Sequence, residues 1–354
     1  MDCQLHQSVN KAHDDALASR EALYHRAEAL LQRGDAEAAL KDLRSALQLR
    51  KQPNCGDAKL HYAAGIAHLQ NNDPNDAVRA FTNTIRAESM RLDGATSAVA
   101  ADAYVQRALA FGDLNRHTHA VRDLNAAIEL RPADGRLFLY RGMAFSARAG
   151  ERDQEHALSD FTTAIALSPA GADAARRTQM SVDISSIVTG TQGSVDNDMR
   201  QTSCSDADDI AAAYEALCAR ATHFRDVRRD YSAAVQDYST AIRLQPELHF
   251  AYCGRARARI QAGGEALSEY KSHGALWTAA LKDLNRAATI APSNAEPPFY
   301  LAHIFGELEQ LALEMDTSVA GILTEWGLSA CEAQSSNELL QKVETLGGFK
   351  NTCT

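Results

Sequence analysis

The chain has 354 residues, of which 45% are apolar and 23% charged, enough to build a core and too apolar for general disorder. A net charge of −10 argues against nucleic-acid binding carried by bulk positive charge. No run of 18 uncharged apolar residues occurs, which argues against a membrane span. The first residues lack a basic start followed by an apolar run, so no secretory signal is expected. The seven cysteines are scattered without a Cys-x-x-Cys pair, and Asn-x-Ser/Thr is absent. Both features suit reduced thiols and an intracellular, cytoplasmic setting.

In chain order, six segments share one pattern. They are KDLRSALQLRK ending at Lys51, RAFTNTIRAES ending at Ser89, and RDLNAAIELRP ending at Pro132. SDFTTAIALSP ends at Pro169, QDYSTAIRLQP at Pro246 and KDLNRAATIAP at Pro292. Each holds a small residue, a bulky one four later and a small one three further on. The bulky members are Leu43, Phe81, Leu124, Phe161, Tyr238 and Leu284. Spacings of three, four and seven predict one buried helical face. Small residues let a neighbouring helix approach, and proline ends the helix in four copies.

A second helix is predicted before each of these, with small residues at Ala27, Gly65, Ala108, Gly142, Ala221 and Ala256. Turn residues lie between the two: Gly34-Asp35, Asn72-Asp73-Pro74, Asn115-Arg116, Gly150 and Arg229-Asp230. Helix, turn, helix and proline at about 34 residues resembles the tetratricopeptide repeat (TPR) family. The resemblance covers residues 20–294 apart from one insert. It implies an all-α fold, a right-handed superhelical solenoid of about six helix-turn-helix repeats plus C-terminal capping helices. The expected division is an N-terminal segment at 1–19, repeats one to four at 20–169 and a polar acidic insert at 170–212. Repeats five and six then occupy 213–294, with capping helices and an acidic tail at 295–354. The stretch between Gly263 and Trp277 reads either as a loop or as extended helix. Pro297-Pro298-Phe299 reads as the start of a further first helix.

Charged residues recur in step. First helices carry Arg26, Arg107, Arg141, Arg220 and Arg255; second helices carry Asp42, Asp123, Asp160, Asp237 and Asp283. Repeat two has Ala64 and Ala80 at these positions, so both partners are missing together. An intra-repeat ion pair explains the joint loss; a charged-ligand site is the alternative.

The resemblance implies that first helices line a concave face where a peptide or helix docks. The candidate groove residues are Tyr24, Tyr62, Ile66, Leu69, Val105, Leu109, Leu139, Tyr140 and Met143, an apolar stripe along repeats one to four. Repeats five and six are more polar there, with Cys218, Thr222, Cys253 and Arg257. The same stripe is also open to being superhelical packing, or to being covered by this chain's own insert or tail. Family members that hold Hsp70 or Hsp90 C-terminal tails use a Lys, Asn and Arg clamp. The matching positions here are Tyr24, Glu28, Ala63, Asp102 and Gln106, and shifting by one repeat restores no clamp, so such a tail is not an expected partner.

The insert is rich in Ser, Thr, Asp and Gly. Ser203 and Ser205, followed by Asp206, Asp208 and Asp209, suit either an acidophilic kinase site or a capped helix N-terminus. Residues 170–209 carry −4 and residues 291–354 carry −7, leaving +1 for the rest. Acidity therefore lies in the insert and tail. No phosphate-binding loop, dinucleotide turn, His-Glu-x-x-His or nucleophile elbow occurs. His117 with His119, and Cys3 with His6, lack further ligands at metal spacing. The expectation is a non-catalytic scaffold or adaptor with a protein or peptide partner, no cofactor, no metal, no nucleic acid and no membrane. A permanent structural subunit of a cytoskeletal or ciliary assembly is the main alternative, and an RNA-binding helical repeat a weaker one, disfavoured by low aromatic content and a near-neutral array.

Overall fold

The computed structural model describes residues 19–49, 57–90, 98–173, 204–265 and 270–314, together with 318, 319 and 322. The described residues are helical hairpins joined by short turns. The helices are α1 (19–32), α2 (Ala36–Gln48), α3 (Asp57–Gln70), α4 (Pro74–Ser89), α5 (Ala98–Asp113), α6 (His117–Leu130) and α7 (Gly135–Arg148). They continue as α8 (Glu151–Leu167), α9 (169–173) and α10 (Cys204–His223), the last running into a π-helical turn at Phe224–Arg228. The chain ends, as described, with α11 (Tyr231–Leu244), α12 (His249–Glu265), α13 (Tyr270–Ile290) and α14 (Glu296–Glu314). Two compact units divide it, Met1–Asp160 and Phe161–Thr354.

The small-bulky-small pattern forms the core. Leu43, Phe81, Leu124, Phe161, Tyr238 and Leu284, with their flanking alanines and Thr84, are each at most 4% exposed. Burying a leucine or phenylalanine is worth about 1.5–3 kcal/mol, so these six positions dominate cohesion between helices. The small positions admit close approach. A Cβ at Gly65 would lie 2.4 Å from the Phe81 ring, and one at Gly254 would lie 2.4 Å from the Tyr238 ring.

The turn inside each of repeats one to five uses a left-handed residue just before the second helix. Gly34, Asn72, Asn115, Ala149 and Arg229 have φ between 53° and 81°. In repeat four the left-handed residue is therefore Ala149, one before the Gly150 read from sequence. Asp35, Asp73 and Asp230 then accept from the backbone N–H three residues on, satisfying donors that the first turn leaves open.

Insertions are absorbed locally. The Arg–Asp separation is sixteen in repeats one and three, nineteen in repeat four and seventeen in repeat five. Repeat four adds its three residues to the start of α8. Repeat five adds its single residue as the π-helical turn, which is how a helix accommodates one extra residue. That turn buries Arg225, whose guanidinium bonds Asp226 at 2.7 and 2.8 Å and the Tyr238 hydroxyl at 3.0 Å. Repeat six spans 28 residues between partners, and there α12 and α13 simply run long, closing over Gly263 and Trp277. α10 starts at Cys204, within the segment read as insert, and its core residues begin at Ala213, Ala216 and Leu217. α14 opens with Pro297 and Pro298 in its first turn, where missing N–H groups cost nothing. Leu301, Ile304, Phe305 and Leu308 on this helix, with Ile322, cover the end of repeat six.

Within the first unit α3 packs on α5 and α5 on α7; within the second, α10 packs on α12 and α12 on α14. Among the described residues, successive second helices show no comparable packing. Convergence of first helices and divergence of second helices places the first helices on the inner side of each unit.

Candidate functional site

Eight of the nine candidate groove residues keep partial or full exposure. Met143 is 52% exposed. Tyr24, Tyr62, Ile66, Leu69, Val105, Leu109 and Tyr140 are half-buried. Tyr62 leans on Phe81 with ring centroids 5.7 Å apart, and Ile66 and Leu69 join the same cluster. Leu139 is a correction to the sequence reading: it is 1% exposed, because α7 is packed by both α5 and α6, and it offers a partner no surface. Cys218 and Cys253 are buried too, at 4% and 1%.

The charged residues form a ladder. Each of the five arginines donates two hydrogen bonds to the aspartate of its own repeat. Arg107 reaches Asp123 at 2.7 Å twice, Arg141 reaches Asp160 at 2.7 and 2.8 Å, and Arg220 reaches Asp237 at 2.7 and 2.8 Å. Arg255 reaches Asp283 at 2.6 and 2.9 Å, and Arg26 reaches Asp42 at 2.5 Å twice. This fork-to-fork geometry is the strongest form of charged hydrogen bond. Hydrogen bonds from Arg26 hold the Asp42 carboxyl below the usual carboxylate range. At Asp237 burial wins instead and raises it, against the two bonds from Arg220.

Four of the arginines also reach backwards. Arg107 Nη1 donates to Thr82 at 3.0 Å, Arg141 to Asn125 at 2.8 Å, Arg220 to Thr162 at 3.4 Å and Arg255 to Ser239 at 2.9 Å. Each acceptor sits on the second helix of the preceding repeat, two residues after its aspartate position. The arginine thus closes its own hairpin and fastens it to its neighbour. The Arg220–Thr162 contact joins residues 58 apart in sequence. With the Phe161–His223 ring contact at 6.1 Å and the Ser168 hydroxyl on the Asp209 carbonyl at 3.1 Å, it shows α8 and α10 stacking directly across the insert.

A model of the tetratricopeptide repeat matches residues 21–53 and 101–134. The fold is that of a tetratricopeptide repeat protein from Parabacteroides merdae, with a TM-score of 0.53 and 16% identity over 92% of this chain and 98% of that one. The C-terminal part of a TPR repeat-containing protein from Cytophaga hutchinsonii gives 0.53 and 10% identity over 92% and 99%. The chain carries tetratricopeptide repeats at these two segments and shares the fold of TPR proteins. A search of curated protein sequences returns no significant match.

In this TPR array, His68, Asp73 and Asp76 are a His/carboxylate group that the sequence reading did not single out, with ligand atoms within 4.8 Å of one another. Two of the three have other work: Asp73 caps α4, and Asp76 is held by Arg79 at 3.0 Å. His119 lies against Phe111, with ring centroids 5.1 Å apart. Burial pushes the Cys218 and Cys253 thiols up to about 12, so both stay protonated and inert at neutral pH. No described helix is long and apolar enough to cross a membrane. The Cys3–His6 pair and Ser203 lie outside the described residues. The backward-reaching acceptors Thr82, Asn125, Thr162 and Ser239 were missed from sequence, although one polar residue two places after the aspartate position recurs in the repeats.

Proposed function

We propose that this TPR protein is a non-catalytic interaction scaffold that holds a helix or extended peptide of a partner protein on the inner, first-helix side of repeats one to four. The observation that carries the reading is the row of incompletely buried apolar and aromatic side chains from Tyr24 to Met143 on helices that converge. A Met 52% exposed among half-buried tyrosines and leucines has area left to lose on binding, and such surfaces suit an amphipathic segment. Half-buried tyrosines add contact area at low entropic cost.

The test is affinity purification with quantitative mass spectrometry, comparing wild type with Tyr62→Glu plus Met143→Glu. The expected result is selective loss of one or a few partners while circular dichroism of the variant is unchanged. Retention of every partner by a folded variant would remove this face from consideration.

A further inference from the structure

The ladder breaks at one junction, between repeats one and two, and it breaks at three positions together. Ala64 replaces the arginine, Ala80 replaces the aspartate, and Arg44 stands where the other junctions have Thr82, Asn125, Thr162 and Ser239. These changes are mutually consistent. An arginine at 64 would direct its backward-reaching nitrogen at Arg44, bringing two like charges together. Without that arginine, an aspartate at 80, a site 8% exposed, would be buried unpaired.

Two long polar side chains are thereby removed, and nothing larger refills the space. A recess of about 250 Å³ remains between α2 and α4, over α3. Leu40, Leu43, Leu47, Ala64 and Ala80 line it with apolar groups, and Arg44, His61, His68, Asp76, Arg79 and Asn83 add polar ones. Asp76 is already held by Arg79 at 3.0 Å. Among the described residues Arg44 has no ion-pair partner and is exposed. The recess thus pairs an aliphatic surface with a cation, Arg44, that no described residue neutralises.

We propose that this recess is a second docking site, which takes an aliphatic side chain of a partner segment and sets an adjacent carboxylate on Arg44. Size and charge both fit. A cavity of roughly 150 Å³ lined by aliphatic residues already holds benzene, so a leucine side chain fits here with room for its carbonyl. The carboxylate replaces what Asp gives the other junctions, a charged acceptor for an arginine fork. The site opens between second helices, away from the Tyr62–Met143 face, and does not depend on that face binding anything.

The test uses three probes on the full chain, followed by ligand-detected NMR titration. N-acetyl-leucine carries the carboxylate on the aliphatic residue itself, as a chain terminus does. N-acetyl-Leu-Glu-amide carries it on the next side chain. N-acetyl-leucinamide carries none. At least one acid is expected to bind saturably at about millimolar concentration, and about fivefold or more tighter than the amide; which acid binds tells terminus from internal acidic residue. Arg44→Gln is expected to bring the acid down to the level of the amide. The variant Arg44→Thr, Ala64→Arg, Ala80→Asp rebuilds the ladder, fills the recess and is expected to abolish binding while the thermal midpoint holds or rises. Equal binding of acid and amide, binding undiminished in the rebuilt variant, or no saturable binding to wild type overturns the proposal. Should the rebuilt variant misfold, the Arg44→Gln comparison decides alone.

Discussion

Arg107→Met is expected to destabilise the first unit by about 3–5 kcal/mol, and Arg107→Met with Asp123→Leu by clearly less. Side-chain exposure is 16% for Arg107 and 5% for Asp123, so the single variant leaves a carboxylate with little access to water. It also removes the contacts of the guanidinium over Tyr104 and Phe111, at 5.6 and 6.0 Å. Thr82 is not stranded, because its hydroxyl also donates to the Val78 carbonyl at 2.7 Å. The double variant replaces an ion pair by apolar groups of similar bulk, which is often near neutral. Urea unfolding followed by circular dichroism reads the difference. A double variant as unstable as the sum of the two singles would mean that the residues do not act as a pair. Arg26→Met provides a graded comparison. The Arg26 side chain is 64% exposed against 16% for Arg107, so its loss is expected to cost less than that of Arg107.

Gly65→Ala is expected to lower stability by about 2 kcal/mol, although alanine is the better helix former by about 1 kcal/mol. The new methyl carbon would sit 2.4, 2.6 and 2.8 Å from three carbons of the Phe81 ring. Phe81 is fully buried and has nowhere to turn. Gly112 lies in α5 with nothing within 4 Å of an added Cβ, so Gly112→Ala is expected to stabilise by about 0.5–1 kcal/mol. Opposite signs for one chemical change at two helical glycines separate packing from propensity. Adding Phe81→Leu should recover part of the Gly65→Ala loss; a strictly additive double variant would place the strain elsewhere.

The core was readable because its signal repeats. Six copies of small-bulky-small leave one helical face, and Leu43, Phe81, Leu124, Phe161, Tyr238 and Leu284 occupy it. The Arg and Asp register was readable for the same reason, and the joint substitution at Ala64 and Ala80 pointed to a shared role. What escaped was contact between repeats. Thr82, Asn125, Thr162 and Ser239 differ in identity and share only hydrogen-bonding capacity, so they do not stand out as a motif. Arg44 carries no signal of its own in the sequence, and gains meaning only from lining the same recess as Ala64. Leu139 was misplaced because helical spacing marks a face without saying how far neighbouring helices cover it. The one-residue insertion in repeat five was visible as arithmetic, but its conversion into a π-turn that buries Arg225 needed three dimensions.

The central claim is that a partner segment lies along the inner, first-helix side of repeats one to four. Site-specific photo-crosslinking tests it most directly, with benzoylphenylalanine placed at Met143 on α7 or at Glu129, exposed on the second helix α6. The account predicts a discrete crosslinked adduct from position 143 and none from position 129. An adduct from 129 alone, or the same adduct from both, would contradict it.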